Sequence, residues 1–183
     1  MPCCEHKHVN LADIRIRAAG HEPELAPALA DILIDCVERG ASVSFMWPLP
    51  RTKALAFWRG VIDGVGRGER ILLVAEDRTG QIHGTVQVVL AMPDNQPHRG
   101  DVCKMLVHHR ARRLGLGAAL LAAAESAARE AGRTLLVLDA VTGGDAERLY
   151  ARCGWQRVGV IPRYALFPNG GFWDTTYFYK ALV

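Results

Sequence analysis

The sequence contains no long hydrophobic run, which excludes a membrane-spanning helix. Such a helix needs about 20 consecutive apolar residues, whereas the longer apolar runs of this chain, such as Leu135 to Leu138, have the length of buried strands. The opening residues, MPCCEHKHVN, also lack the apolar core of a secretory signal peptide. We therefore expect a cytoplasmic protein with no membrane partner.

Cysteine, aromatic residues and net charge are also scarce. The 5 cysteines are odd in number and irregularly spaced, so they do not form a disulfide framework. Aromatic residues make up 7% of the chain, while alanine and glycine are abundant, which favours closely packed helices. The formal net charge is +3, and Lys and Arg are spread along the chain, so we expect no nucleic-acid partner.

Metal ligation has one candidate in the sequence, a cluster of Cys3, Cys4, His6 and His8. Structural zinc sites need ligands held by a turn or helix and a matching second pair, and neither is present here. We therefore expect no metal and interpret residues 1–12 as a flexible N-terminal tail. Residues 13–183 have a length that suits a single domain with its own core.

The spacing of apolar residues predicts alternating groups of helices and strands. It predicts helices over residues 22–38, 51–65, 116–131 and 145–152. It predicts strands over residues 14–18, 71–76, 81–91, 102–108, 135–140, 158–161 and 175–180. The order combines an antiparallel hairpin with a single β-α-β crossover. We therefore expect an α/β (α+β) protein with a mixed, mostly antiparallel central sheet and helices on both faces.

The segment VCKMLVHHRARRLGLGAALL places two glycines, Gly115 and Gly117, between a strand and a helix. Glycines at this point let the backbone approach a ligand closely. The free N–H groups and the positive end of the helix favour an anion such as pyrophosphate. Three arginines add positive charge at the same place: Arg110, Arg112 and Arg113.

Two other interpretations of this glycine loop stay open. A dinucleotide site would need G-x-G-x-x-G followed by an acidic residue about 20 positions on. Gly115, Gly117 and Asp139 fit that pattern, but Leu120 stands at the third glycine position. A helix opened by glycines with no ligand is the purely structural alternative.

Two motifs resemble the signatures of the GNAT superfamily of acetyl-CoA-dependent N-acetyltransferases. Arg112-x-x-Gly115-x-Gly117 resembles its R/Q-x-x-G-x-G/A signature, and the run from Ala146 to Trp155 resembles A-x-x-L-Y-x-x-x-G-F. Gly143 departs from the pattern, since many members carry Asn there. Within the family the likeness is to the tabtoxin resistance subgroup, in segments such as 40–46 and 104–107.

This resemblance implies acetyl-CoA as the co-substrate and gives the cofactor-binding residues. The backbone from Met105 to Val107 would line the pantetheine and help to hold the thioester carbonyl oxygen. The N–H groups from Arg112 to Ala118 would surround the pyrophosphate. The expected cofactor-binding set is Met105, Leu106, Val107, Arg112, Arg113, Leu114, Gly115, Leu116, Gly117 and Ala118.

The resemblance also makes Tyr150 the candidate general acid. Its reference pKa of about 10 lies above that of a thiol, about 8.5, so a tyrosine stays protonated and can protonate a leaving thiolate. Asp101, expected at the start of the cofactor strand, and Asp139, expected at the end of the next strand, are the candidate bases. The structural alternatives are a tyrosine packed on the sheet and two acids in turn or capping contacts.

Other nucleophiles and bases fit the sequence less well. His108 and His109 have suitable pKa values, but they lie in the expected phosphate loop, where contact with cofactor or solvent is expected. Cys103 and Cys153 would support a covalent acetyl-cysteine route, yet the sequence places no His and Asp arrangement beside them. Direct transfer is therefore preferred.

We expect transfer of an acetyl group to a primary amine of a small molecule, such as an amino-acid-like toxin or antibiotic. Residues 45–47 and 164–173, which are irregular and aromatic, are candidates for the acceptor pocket. Acetylation of a protein N-terminus or lysine, which needs an open groove, and a non-catalytic acyl-CoA-binding module stay as alternatives. A homodimer is an open alternative for the assembly.

Overall fold

The computed structural model describes residues 10–182, and its elements follow the predicted order. The helices are α1 (Ala26–Glu38), α2 (Arg51–Gly66), α3 (Leu116–Glu130) and α4 (Asp145–Arg152). The strands are β1 (Arg15–Ala19), β2 (Arg70–Glu76), β3 (Ile82–Val89), β4 (Arg99–Val107), β5 (Leu135–Val141), β6 (Gln156–Leu166) and β7 (Phe172–Ala181). The cluster from Cys3 to His8 lies outside the described residues. Within residues 10–182, no helix has the length and apolarity needed to cross a membrane.

The seven strands form one sheet in the order β1-β2-β3-β4-β5-β7-β6. All neighbouring strands run antiparallel except β4 and β5, which are parallel and are connected through α3. The predicted fold class, a mixed and mostly antiparallel sheet with helices on both faces, is confirmed.

Two hydrophobic cores lie on opposite faces of the sheet. Successive side chains of a strand point to opposite faces, and β2 follows this rule. Leu72 and Val74 join the core under α1 and α2, whereas Leu73 and Ala75 join the core under α3. Helix α4 lies on the α3 face, because Tyr150 belongs to that second core.

The last two strands are longer than the sequence pattern predicts. Strand β6 covers 11 residues and pairs with β7, although it contains Pro162 and most of its residues are exposed. An edge strand tolerates proline because the missing N–H is not needed for a second neighbour. Pairing with β7, and not its own alternation, therefore determines the length of β6.

A β-bulge interrupts β4 at Lys104, whose φ of 49° lies in the left-handed region. Two steps on β3, from Thr85 to Gln87, oppose three steps on β4, from Leu106 to Cys103. The extra residue reverses the alternation, so that Val102 faces the α3 core and Leu106 faces the α1–α2 core. Bulges of this kind bend a strand and redirect its side chains.

Strands β4 and β5 pair over only three positions. The register joins Arg99 to Leu135, then the next two residues of each strand, and ends where Asp101 meets Val137. Beyond that point both strands continue, β4 to Val107 and β5 to Val141, without further pairing. The sheet therefore opens into a cleft between the second halves of its two central strands.

Candidate active site

The cleft is bordered by main-chain groups of β4. After Asp101, the side of β4 that faces β5 has no ladder partner within the described chain. Backbone N–H and C=O groups are obligatory hydrogen-bonding groups, so such a segment is suited to pair with an extended ligand. Met105 and Val107, two of the expected cofactor contacts, lie in this unpaired half of the strand.

The loop after β4 presents a row of free backbone donors. Gly115, with φ of 83°, caps α3 in the left-handed conformation, and Arg113 also has a positive φ of 63°. The N–H of Ala119 makes the first helical bond, to the Gly115 carbonyl at 3.1 Å. The N–H groups of residues 113–118 therefore have no partner among residues 10–182. Their exposure at a helix N-terminus makes them suitable for a phosphate group.

Gly117 lies where this row of donors meets α4. A Cβ at this position would lie 3.2 Å from Cδ2 of Leu149, a contact that forces a neighbour to move. Glycine at 117 therefore permits close packing of α3 on α4 and leaves the adjacent N–H groups accessible.

Arg112 does not extend over the mouth of the loop as its position in the motif suggests. Its Nε donates to the Val107 carbonyl at 3.0 Å, and its Nη2 lies 3.5 Å from Sγ of Cys36 on α1. The Val107 carbonyl is thus occupied by Arg112. Arg110 and Arg113 remain exposed at the loop.

Tyr150 lies on α4 with its ring packed between Trp155 and Phe178, at centroid distances of 6.1 Å and 5.9 Å. The side chain is buried, with the residue 6% exposed. Burial, followed by the negative charge of Asp139, raises the pKa of the Tyr150 phenol well above its usual value. The group therefore keeps its proton throughout the pH range in which a thiol ionises.

Asp101 lies at the closed end of the cleft and Asp139 lies on its β5 side. Both acids are in strand interiors and not at the ends predicted from the sequence. Asp101 is the third residue of β4 and forms an ion pair with Arg99. Asp139 lies two residues before the end of β5, is exposed, and accepts a hydrogen bond from the Thr175 hydroxyl at 2.8 Å. The turn and cap alternatives for these acids are therefore wrong.

Asp35 is a residue of this region that the sequence pattern does not reveal. It is nearly buried on α1, and its carboxylate accepts hydrogen bonds from the His109 N–H (2.9 Å), the His109 ring (2.6 Å) and Arg39 (2.9 Å). Burial alone would raise the pKa of Asp35, but the hydrogen bonds from Arg39 and His109 outweigh it and lower the pKa. No local pattern signals this contact, because residues 35 and 109 lie far apart in the sequence.

His109 is thus bound by Asp35, and the expectation that it faces cofactor or solvent is corrected. Asp35, His108 and His109 bring three potential ligand atoms within 4.8 Å of one another. The Asp35 carboxylate already accepts hydrogen bonds from His109 and Arg39. The positive charge of Arg39 would also disfavour a metal ion at this position. We interpret this group as an anchor between α1 and the loop that follows β4.

A tyrosine pair stands beside Asp139 on the same face of the sheet. Tyr177 of β7 is the register partner of Asp139, and its hydroxyl lies 3.0 Å from that of Tyr164. The hydrogen bond with Tyr164, followed by partial burial, raises the pKa of Tyr177 to about 12. The ring of Tyr164 also packs edge-on against Trp173. The predicted acceptor segment 164–173 therefore adjoins the candidate base.

The second predicted acceptor segment is tied to the first. The Trp47 N–H donates to the Pro168 carbonyl at 3.0 Å, and the Ser42 hydroxyl donates to the Leu166 carbonyl at 3.0 Å. Lys104, at the bulge of β4, donates to the Ser44 hydroxyl at 3.1 Å. The α1–α2 loop therefore bridges the bulge and the β6–β7 loop.

Solved structures share the fold of this chain. An acetyltransferase of the GNAT family from Streptococcus pneumoniae is 24% identical, with a TM-score of 0.72 over 92% of this chain and 99% of that chain. The fold is that of the GNAT acetyltransferases. This chain is also similar to yncA from Salmonella typhimurium with its cofactor acetyl-CoA, at 21% identity and a TM-score of 0.73 over 93% of this chain and 95% of that chain. A ribosomal-protein-alanine N-acetyltransferase from Brucella melitensis is 25% identical, with a TM-score of 0.75 over 91% of this chain and 99% of that chain.

Residues 68–157 also match the family described as the acetyltransferase (GNAT) domain. This segment contains the bulge of β4, the glycine loop and Tyr150. This match and the similar solved structures together support the interpretation of this chain as an acetyltransferase. The two segments expected to contact the acceptor, residues 45–47 and 164–173, lie outside the matched segment.

Proposed function

We propose that this protein transfers an acetyl group from acetyl-CoA to a primary amine of a small molecule by direct attack of the amine. The observation that carries the proposal is the cleft between β4 and β5, which leads from the free N–H groups at the start of α3 to Tyr150 and Asp139. A long ligand with a pyrophosphate at one end and a reactive group at the other matches that arrangement.

The described residues fit acetyl-CoA. The N–H groups of residues 113–118 would bind the pyrophosphate, with Arg110 and Arg113 adding charge from the loop. The unpaired edge of β4 around Met105 would bind the amide groups of the pantetheine. When bound, acetyl-CoA supplies an acetyl group on a thioester whose sulfur is a competent leaving group.

Tyr150 would protonate the sulfur as the carbon–sulfur bond breaks. Its raised pKa keeps the proton available at neutral pH. Among residues 10–182 its hydroxyl has no hydrogen-bond partner, so it is free to face a ligand in the cleft.

Asp139 is the favoured base. The amine nitrogen forms the new bond to the acetyl carbon only as a neutral nucleophile, so its extra proton must pass to an acceptor. Asp101 is neutralised by Arg99, whereas Asp139 accepts only from the Thr175 hydroxyl in the part of the chain described. Its exposed carboxylate can bind the ammonium and take its proton, directly or through water.

A covalent route through cysteine is disfavoured. Burial, which outweighs the nearby positive charge of Lys104, raises the pKa of the Cys103 thiol. A thiol of this kind is less often ionised than a free cysteine, and ionisation is what a nucleophilic cysteine requires. Direct transfer needs no such step.

The acceptor side favours a small amino-acid-like molecule. The hydrogen bonds from Trp47 to Pro168 and from Ser42 to Leu166 tie the α1–α2 loop to the end of the β6–β7 hairpin. This link favours a closed pocket over the open groove that a polypeptide would need. Within the described chain, Asp139 has no cationic partner and Lys104 has no acidic one. An acceptor with both an ammonium and a carboxylate would complement these two charges. Likeness to the tabtoxin resistance subgroup stays a prediction.

A homodimer and a cytoplasmic location also stay predictions. The homodimer gains support from large apolar side chains that the β6–β7 hairpin exposes: Val158, Val160, Ile161, Leu166 and Phe172. Sedimentation equilibrium of the purified protein would decide between a monomer and a dimer.

Calorimetric titration with acetyl-CoA, with NAD as the control ligand, tests the proposal. We expect saturable binding of acetyl-CoA alone, followed by amine-dependent release of free thiol when amino acids and simple amines are supplied. Binding without turnover on any amine or peptide would favour the acyl-CoA-binding module. Turnover on peptides alone would favour a protein acetyltransferase, and no binding would overturn the proposal.

A further inference from the structure

Trp155 follows α4 and stands where the second family motif ends in phenylalanine. Its indole N–H donates to Oε1 of Glu125 on α3 at 2.9 Å. Both residues are buried, with exposures of 4% and 8%. A buried indole N–H needs an acceptor, and Glu125 supplies one that a phenylalanine at 155 would not require.

The second carboxylate oxygen of Glu125 accepts from Nζ of Lys180 on β7 at 2.7 Å. Lys180 also donates to the Cys153 carbonyl, at the end of α4, at 2.8 Å. We call Glu125, Trp155 and Lys180 the Trp155 clamp. It joins α3 and the last residues of α4 to β7.

The clamp reaches Tyr150 in two ways. The ring of Trp155 packs against the Tyr150 ring, and the backbone N–H of Trp155 donates to the Tyr150 carbonyl at 3.1 Å. Phe178 closes the other side of the tyrosine. Because no hydrogen bond from the described residues holds the phenol itself, the direction of its hydroxyl depends on these packing contacts.

We propose that Glu125 and Lys180 are positioning residues for Tyr150, an inference that rests on the proposed function. Helix α3 carries the cofactor loop at its N-terminus and Glu125 near its C-terminus. The clamp therefore fixes the proton donor relative to the helix that binds the cofactor. A buried ion pair contributes little to stability compared with apolar packing, which agrees with a role in geometry.

A double-mutant cycle between Glu125→Gln and Tyr150→Phe tests the proposal. We expect Glu125→Gln to lower kcat about tenfold, as a small misplacement of a catalytic group does, while KM for acetyl-CoA stays within about twofold. In the Tyr150→Phe background the same substitution should have no further effect on kcat. An equal loss in both backgrounds, or no loss in either, overturns the positioning role.

Two further variants keep the test decisive. If Glu125→Gln fails to fold, Trp155→Phe takes its place in the cycle. This variant removes the indole N–H and keeps a ring against Tyr150, so kcat should fall only when Tyr150 is present. Glu76→Gln removes the charge from a partly buried ion pair with Arg17 on β1 and should leave kcat unchanged. If the natural protein transfers acetyl groups and only the cycle fails, the clamp alone is wrong. Absence of transfer by the natural protein overturns both proposals.

Discussion

Replacement of Gly117 by valine should weaken the binding of acetyl-CoA by at least about 100-fold and leave the fold intact. A Cβ at this position already lies 3.2 Å from Leu149, so the two γ-methyl groups cannot turn toward α4. Because the Cα–Cβ bonds of a helix tilt toward its N-terminus, we expect the methyl groups to lie over the N–H groups of residues 116–118. A phosphate that approaches these donors would meet the methyl groups first.

The size of the effect follows from the donors that become inaccessible. Hydrogen bonds to charged groups contribute about 1.5–3 kcal/mol each. Loss of two of them costs about 3–6 kcal/mol, which corresponds to an increase in Kd of roughly 10²- to 10⁴-fold.

Calorimetric titration of Gly117→Val with acetyl-CoA measures the loss directly. Gly60→Val is the matched control, since Gly60 is an exposed glycine of α2 with nothing within 4 Å of its ideal Cβ. Thermal melting of both variants separates loss of binding from loss of folding. If folded Gly117→Val binds acetyl-CoA as tightly as the natural protein, the assignment of the pyrophosphate to this loop is refuted.

Three further predictions follow from the same structure. Tyr150→Phe should lower kcat about 10²-fold with Kd for acetyl-CoA unchanged in calorimetry, and unchanged turnover would remove Tyr150 from the mechanism. Asp139→Asn should lower kcat/KM for the amine, measured by steady-state kinetics, by at least about tenfold. A larger decrease of kcat/KM in Asp101→Asn would assign the role of base to Asp101. Asp35→Asn should reduce the free energy of unfolding by about 1–3 kcal/mol near neutral pH. Because the folded-state pKa of Asp35 is lowered, the difference in unfolding free energy between the natural protein and Asp35→Asn should disappear as the pH falls through that pKa. Denaturant unfolding at several pH values measures this difference. A difference that persists in acid would contradict the assignment.

The sequence predicts those elements whose signal is local. Helix α3 and the glycines before it stand out because apolar spacing and glycine placement lie within about 20 residues. The order of the elements is sufficient to predict a mixed sheet with one parallel crossover. The glycine loop between β4 and α3 could therefore be predicted from residues 102–121 alone.

Features that depend on distant partners could not be predicted. The bulge at Lys104 needs a lysine with a positive φ, which no residue pattern indicates. Strand β4 begins at Arg99 because β5 pairs with it there, so Asp101 lies inside the strand and not at its start. In the sequence, Asp35 has the pattern of a polar residue on a surface helix, because its partner His109 lies far away along the chain.

The bridge between the α1–α2 loop and the β6–β7 loop has a consequence for attempts to change the acceptor. The Ser42 hydroxyl and the Leu166 carbonyl meet across 124 positions of sequence. Exchange of the α1–α2 loop alone would remove the Ser42 hydroxyl, and exchange of the β6–β7 loop alone would move the main-chain carbonyls that Ser42 and Trp47 bind. A new acceptor range should therefore be transplanted as two segments together, and libraries that vary both loops at once should give more folded, selective variants than libraries that vary either.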